Sequence, residues 1–319
     1  MPQPPAPPTA VLAEVVRSGF VEGHHRGSVV ALAADGSRVL ALGDPDAAVF
    51  PRSSNKPMQV VGMLEAGLDL DGELLALAGA SHSGEPFHID GVRRILAAAG
   101  LAETDLQTPP DWPVDEEAKL AVVRAGGQPA PVLMNCSGKH AAMLATCVAA
   151  GWDTATYLDP AHPLQQHLLA TVARLAGEPV AATGVDGCGA PLFALSLVGL
   201  ARAFAAIAVA PAGTPEHRLA TAVRGFPEWL GGTRRDVTRL VAGVPGMVAK
   251  DGAEGVYAAA LPDGRAVALK IDDGAQRARP PVMVAALRAL GVDEPVLDEL
   301  AEAPLLGGGR PVGAVRVAF

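Results

Sequence analysis

The chain contains few cysteines and few lysines, and its net charge is negative. Each of these features narrows the range of possible functions. Three cysteines among 319 residues cannot build the disulfide framework that is typical of small secreted proteins. The formal net charge of -9 argues against nucleic acid or an anionic membrane surface as a partner. No signal peptide pattern opens the chain, so we expect a cytoplasmic protein.

The chain also lacks an uninterrupted hydrophobic run that would suit a transmembrane helix. The longest run, residues 192–210, is broken by Ser196, Gly199 and Arg202, and we interpret it as one buried helix. Half of the residues are hydrophobic, which is ample for a large core. No membrane partner is expected.

The proline-rich start of the chain predicts a flexible tail over residues 1–14. The rest, residues 15–319, is expected to form a single catalytic unit. Within it, a helical insert is predicted at roughly 88–240.

Lysine is the scarcest charged residue, and its positions are informative. The sequence contains 5 lysines, so 20 of its 25 basic residues are arginines. Four of the five, Lys56, Lys139, Lys250 and Lys270, lie in polar or glycine-containing clusters or in a late strand. Because a buried lysine can lose its proton and an arginine cannot, such lysines are candidates for acid–base chemistry.

One lysine follows a serine at helical spacing. Ser53 and Lys56 lie three residues apart and share one face of a helix that Pro57 helps to locate. The pattern predicts Ser53 or Ser54 at the N-cap. A serine there can be a nucleophile and the lysine its base, provided that burial lowers the pKa of the lysine. An ordinary N-cap serine with a solvated lysine is the alternative.

Hydrophobic patterning predicts an α/β (α+β) fold with a mainly antiparallel sheet. Hairpins are expected at 28–42, turning at Asp35-Gly36, and at 254–271, turning at Pro262-Asp263-Gly264. A final strand covers 312–319, and predicted helices fill the region between the hairpins and the stretches 281–290 and 295–303. The sheet is therefore built from both chain ends and flanked by helices.

Two cysteines lie in glycine-containing clusters and admit several interpretations. Cys136 with Lys139, and Cys188 with nearby Asp186, can converge on a zinc ion. They can equally be buried cysteines in turns. Cys136 with His140 at helical spacing is a third possibility, a cysteine nucleophile, although no residue that orients the histidine is evident.

Four motifs together resemble the L-asparaginase II family, the rhizobial-type group with a serine nucleophile. The resemblance spans about residues 15 to 319, and the motifs occur in the order that the family has. They are Arg52-Ser53-Ser54-Asn55-Lys56-Pro57-Met58-Gln59, Ala80-Ser81-His82-Ser83-Gly84-Glu85, Asn135-Cys136-Ser137-Gly138-Lys139-His140 and Asp186-Gly187-Cys188-Gly189-Ala190-Pro191.

The resemblance implies a serine-β-lactamase-like fold and hydrolysis of L-asparagine to L-aspartate and ammonia. By position, Ser53 would be the nucleophile and Lys56 its base, and Ser81 and Lys250 would form a second serine–lysine pair. Ser83 stays open as an alternative to Ser81, and Lys270 as an alternative to Lys250. The expected substrate contacts are Arg52, Ser83, Glu85, Asn135, Gly252 and Ala253.

The resemblance also implies a modulatory zinc ion and a homodimer, without an organic cofactor. Cys136, Lys139 and Cys188 match the zinc-binding positions of the family, with Asp186 nearby. A β-lactam substrate is not favoured, because Asp251 stands where the penicillin-recognising enzymes have a hydroxyl residue. The alternatives are a glutaminase or peptidase-like enzyme of the same fold, a zinc-dependent amidohydrolase, and a binding protein without activity.

Overall fold

The computed structural model describes residues 9–319, and an eight-stranded antiparallel sheet lies at its centre. All eight strands come from residues 10–42 and 248–317, where runs of Val, Leu and Ala favour extended structure. The strands are β1 (Ala10–Arg17), β2 (Phe20–Leu32), β3 (Arg38–Leu42), β4 (Ala48–Val49), β5 (Thr183–Val185), β6 (Pro191–Phe193), β7 (Leu195–Ser196), β8 (Val248–Asp251), β9 (Val256–Ala260), β10 (Ala266–Ile271), β11 (Glu302–Gly307) and β12 (Arg310–Val317).

The described part of the chain contains twelve α-helices. They are α1 (Lys56–Glu65), α2 (Gly72–Ala78), α3 (Pro86–Ala98), α4 (Glu116–Arg124), α5 (Ser137–Ala150), α6 (Pro163–Ala176), α7 (Leu197–Ala208), α8 (Pro215–Gly225), α9 (Pro227–Leu230), α10 (Asp236–Gly243), α11 (Arg279–Ala289) and α12 (Pro295–Leu300). None of these helices combines the length and the hydrophobicity that crossing a lipid bilayer requires.

The order of strands joins the two chain ends into one sheet. Neighbouring strands follow the order β11-β12-β1-β2-β10-β9-β8, and β3 also pairs with β2. The hairpins of β2 with β3 and of β9 with β10 are confirmed, with Gly36 and Gly264 at positive φ in their turns. The expected α/β fold, with an antiparallel sheet built from both chain ends and flanked by helices, is confirmed.

Three predicted elements differ from the structure. Residues 10–14, expected in the tail, belong to β1; residues 1–8 of that predicted tail lie outside the described residues. The run 192–210 is not one helix, because the Ser196 side chain caps α7 and the residues before it form β6 and β7. The helix predicted at 295–303 ends at Leu300, because Glu302 and Ala303 belong to β11 and pair with β12.

The buried helices hold the start of α1 against the edge of the sheet. α7 and α11 pack on β2, β9 and β10, and α1 packs among α5, α6 and α8. The side chains of α1 from Lys56 to Leu64 are all buried. The turn that precedes α1 is thereby fixed beside β8, where the candidate site lies.

Candidate active site

Ser53 lies in the turn that starts the first helix. A 3₁₀ helix, Arg52–Asn55, runs directly into α1, so helical backbone begins one turn earlier than the sequence suggests. Pro51 is the N-cap of this turn and Asn55 that of α1. The N-cap predicted at Ser53 or Ser54 is therefore wrong, although Ser53 still lies at the positive end of a helix.

Close packing against β8 fixes the turn. The Ser54 hydroxyl donates to the Lys250 carbonyl at 2.9 Å. A Cβ on Gly252 would lie 2.7 Å from the Pro51 carbonyl oxygen, so glycine is needed for this approach. The two serines thus differ: Ser54 is buried and bonded, whereas Ser53 is half-buried and its hydroxyl has no hydrogen-bond partner within residues 9–319.

Lys56 lies directly behind the turn with only 1% of its surface exposed. Its Nζ donates to the Ser81 hydroxyl at 2.9 Å and to the Ala80 carbonyl at 2.5 Å, and it contacts the Cys136 sulfur at 3.0 Å. No hydrogen bond joins Nζ to Ser53 in the described part of the chain. Such a contact often tightens only when substrate binds.

Ser53 and Ser81 face the same cavity, which has a volume of about 350 Å³. Three predicted substrate contacts, Asn135, Gly252 and Ala253, also line it. The N–H of Ser53 and that of Ala253 have no acceptor among residues 9–319, so both are free to bind a developing oxyanion. Five lining residues are absent from the predicted site: Val114, Arg235, Asp251, Gln276 and Arg279.

The other predicted contacts lie away from this cavity. Arg52, at a φ of 51°, donates to Asp186 at 2.9 Å and borders a separate depression, which Lys270 also lines. The Ser83 hydroxyl donates to the Gly231 carbonyl at 2.9 Å. The Glu85 carboxylate accepts hydrogen bonds from the backbone and side chain of Thr233. These residues support the loops of the site and do not reach the cavity.

Lys250 is fully buried, and its partner is the carboxylate of the next residue. Its Nζ donates to Asp251 Oδ1 at 2.7 Å and to the Asp251 carbonyl at 2.7 Å. Burial lowers the pKa of Lys250 to about 8; Asp251 opposes the shift and nearby Lys56 adds to it. Among the described residues no hydrogen bond joins Lys250 to Ser81, so the contact of Ser81 with Lys56 is the one that the structure contains.

Cations surround the Asp251 carboxylate. Burial alone would raise the pKa of Asp251, but Lys250, Arg235 and Arg279 hold it well below its usual range. Adjacency to Lys250 in the sequence could have identified Asp251 as a site residue. No local motif marks Arg235, at the N-cap of α10, or Arg279, at the start of α11.

The two cysteine clusters meet beside Lys56. Lys139 Nζ contacts the Cys188 sulfur at 3.3 Å. The Cys136 thiol donates to Asn135 Oδ1 at 3.0 Å. The interaction between the two cysteines lowers the pKa of Cys188 and raises that of Cys136. Burial would lower the pKa of Lys139, but the negative charge on Cys188 raises it. Asp186 is held by Arg52, as described above.

This donor set fits a zinc ion only if the lysine takes part. In residues 9–319 no group of three or more His, Cys, Asp or Glu side chains is placed to hold a metal ion. The two sulfurs and the Lys139 amine nevertheless converge. His140 adds a buried Nε2 atom without a partner within the described residues, while its Nδ1 bonds the Tyr157 hydroxyl. Two thiolates and a neutral amine are chemically acceptable zinc ligands.

A family model described as L-asparaginase II matches residues 13–317, nearly the whole chain. This protein belongs to the L-asparaginase II family. The family is one of asparaginases, which are hydrolases. A search of the curated proteins finds no match.

Solved structures resemble this asparaginase family member only weakly. A β-lactamase from Mycobacterium bovis is 13% identical with a TM-score of 0.47, and the alignment covers 86% of this chain and 95% of that one. EstCE1, a hydrolase with promiscuous acyltransferase activity, is 14% identical with a TM-score of 0.40 over 86% and 93% of the two chains. Mglu in its native form is 14% identical with a TM-score of 0.44. The alignment covers 83% of this chain and 64% of the Mglu chain, so this chain spans less than two thirds of the length of Mglu.

Proposed function

We propose that the protein hydrolyses L-asparagine to L-aspartate and ammonia through an acyl-enzyme on Ser53. One observation carries the proposal. The Ser53 hydroxyl, which has no hydrogen-bond partner within residues 9–319, shares a cavity with Ser81, and the buried amine of Lys56 is bonded to Ser81. A serine activated by a nearby base is a recurrent solution for acyl transfer. Family membership supports asparagine as the substrate.

In the first half-reaction the Ser53 oxygen attacks the side-chain amide carbon, and its proton passes to neutral Lys56. The N–H groups of Ser53 and Ala253 hold the oxyanion, each contributing about 3 kcal/mol. The proton then moves from Lys56 through Ser81 to the amide nitrogen. The C–N bond breaks, ammonia leaves, and an ester of Ser53 remains.

In the second half-reaction a water molecule attacks the ester and gives its proton to the same lysine–serine chain. The proton returns to the Ser53 oxygen as the C–O bond breaks, and L-aspartate leaves. The family resemblance assigns proton transfer to Ser81 with Lys250, whereas the hydrogen bond present supports a route through Lys56. Lys250 acts in this scheme by fixing Asp251 beside the cavity.

We propose further that Cys136, Lys139 and Cys188 hold a zinc ion. When bound, zinc would supply positive charge that tunes substrate binding and would not act as the main electrophile. The chain's own contribution is to hold Cys136 against Lys56, next to the reacting residues.

Ammonia release from L-asparagine and from L-glutamine tests the proposal. We expect wild type to hydrolyse asparagine and the Ser53→Ala variant to lose about 10⁴-fold or more in kcat. Glutamine can be discriminated by only about 10- to 200-fold, since it differs by one methylene. Ser54→Ala is the matched control, because its hydroxyl bonds the Lys250 carbonyl, and it should lose less than about tenfold.

Two other outcomes would contradict the proposal. Wild-type activity on neither amide would exclude amide hydrolysis of these amino acids. Activity that persists in Ser53→Ala but disappears with a metal chelator would favour a zinc-dependent amidohydrolase instead.

A further inference from the structure

Arg279 is a buried cation on the wall of the cavity that Ser53 lines. It is 3% exposed and lies at the first position of α11. Its Nη1 donates to the Gly252 carbonyl at 2.6 Å and lies 3.4 Å from Asp251 Oδ2. Its guanidinium carbon lies 5.6 Å from the ring centre of Tyr257. These contacts hold the guanidinium group in place. They use Nη1 and leave the edge formed by Nε and Nη2 without a hydrogen bond within residues 9–319.

The edge of Arg279 formed by Nε and Nη2 has no hydrogen-bond partner among residues 9–319. No hydrogen bond from its Nη2 is present within residues 9–319, whereas Nη1 has two acceptors. Its Nε is buried and also lacks a partner among the described residues. Burying a charged donor without an acceptor costs free energy, so the position favours a ligand that supplies one.

The charges around Asp251 leave an excess of positive charge at the cavity. Lys250 occupies Asp251 Oδ1, and the guanidinium groups of Arg235 and Arg279 approach Oδ2, so three cations surround one carboxylate. The second acid nearby, Asp236, has its pKa raised by burial and by the negative charge of Asp251. An anion entering the cavity would therefore be attracted.

We infer that Arg279, with Arg235 beside it, binds the α-carboxylate of the amino-acid substrate. The inference rests on the proposed function, in which Ser53 attacks the side-chain amide at the other end of the same small molecule. Serine and arginines line one cavity of about 350 Å³, enough for an amino acid of this size. A guanidinium group presents two parallel N–H donors, the geometry that suits a carboxylate.

The other basic side chains nearby are less suited to binding a carboxylate. Arg52 is engaged by Asp186 and borders a different depression. Lys250 is fully buried and its hydrogen bonds go to Asp251. Lys56 is bonded to Ser81 and Ala80 behind the nucleophile.

The test compares two substrates that differ only at the α-carboxylate. The kcat/KM for L-asparagine and for its α-amide, in which a neutral carboxamide replaces the carboxylate, are measured in wild type and in Arg279→Met. We expect wild type to prefer asparagine by about 100-fold or more, the scale of a charge-assisted paired hydrogen bond. In Arg279→Met this preference should fall to less than about tenfold.

The ratio of kcat/KM for asparagine to kcat/KM for its α-amide matters, because Arg279 also bonds the Gly252 carbonyl, next to the proposed oxyanion donor Ala253. A purely structural role would slow both substrates equally and leave the preference unchanged, which would overturn the inference. Arg279→Lys keeps the charge and loses the paired donors, so an intermediate preference is expected. Arg224→Met is the control, since Arg224 donates to the Gly246 and Ala208 carbonyls outside the cavity lining.

Binding of L-aspartate, measured by calorimetry, separates this inference from the proposed function. If wild type releases no ammonia from asparagine, the proposed function fails. L-aspartate binding that weakens about 100-fold in Arg279→Met, and not in Arg224→Met, would still support a carboxylate site. Equal binding of L-aspartate to Arg279→Met and Arg224→Met, or no binding to wild type, would overturn the inference that Arg279 binds the α-carboxylate.

Discussion

The Nζ atom of Lys56 lies 2.9 Å from the hydroxyl oxygen of Ser81, on the wall of the cavity that Ser53 also lines. Lys56 belongs to the turn after the candidate nucleophile, and Ser81 follows α2. One buried amine, three residues after Ser53, is thus bonded to a serine from a different part of the chain. The arrangement allows a proton to leave one hydroxyl and reach a leaving group through the other.

This relationship predicts that Ser53, Lys56 and Ser81 act as a unit. Replacing Lys56 by Met should lower kcat for asparagine about as much as Ser53→Ala does, because the nucleophile loses its base. Ser81→Ala should lower kcat by about 10²- to 10⁴-fold, the range of a general acid–base contribution. The double variant of Ser53 and Lys56 should be no worse than either single variant, since residues that act together are non-additive. Steady-state ammonia release measures all of these.

Ser83 provides the matched control for this prediction. It is two residues from Ser81, but its hydroxyl bonds the Gly231 carbonyl and lies off the cavity. Ser83→Ala should cost about 1 kcal/mol of stability and less than about tenfold in kcat. A loss of activity equal to that of Ser81→Ala would instead favour Ser83 as the working serine.

The predictable parts of the fold are those that local sequence determines. Helix α4 (Glu116–Arg124) is one such part, because the Asp115 side chain caps it by accepting a hydrogen bond from the Ala118 N–H. Both hairpins follow from glycine-containing turns between hydrophobic runs. β11 could not be found in this way, because its six residues carry only one buried side chain. It is a strand because it pairs with β12.

The candidate site likewise has a part that the sequence predicts and a part that it does not. Ser53, Ser81 and Asn135 come from recognisable motifs, and Gly252 and Ala253 are expected from the family resemblance. All five are found on one cavity. Arg279 reaches that cavity only because α11 packs on the sheet and carries the side chain back to Asp251, 28 residues earlier in the chain. No local pattern encodes such an approach, so the charged wall of the cavity was unpredictable.

The convergence of Cys136, Lys139 and Cys188 predicts one bound zinc ion per chain in protein supplied with zinc. Lys139→Met should weaken zinc binding by tenfold or more, and Cys188→Ser by more still, because a thiolate is the stronger ligand. Cys147 is the control, since it is a buried cysteine in the middle of α5 and Cys147→Ser should retain the metal. The zinc content per chain, measured by elemental analysis after dialysis, tests this prediction. Absence of zinc from wild type, or equal loss in Cys147→Ser, would contradict the site.

Buried histidines predict that acid destabilises the fold. Burial lowers the pKa of His88 from 6.5 to about 4, where its Nε2 lies 3.0 Å from the Glu228 carbonyl oxygen. As pH falls through 6.5 the unfolded chain takes up a proton at this residue, while the folded chain does so only near 4. Proton uptake therefore favours unfolding, and stability falls between pH 6.5 and 4 by up to about 3 kcal/mol from this group. Urea unfolding of wild type and His88→Asn at pH 7 and pH 4 should show a smaller pH-dependent loss in the variant. The solvent-exposed His24 supplies the control, and a His24→Asn chain that matched His88→Asn would refute the assignment.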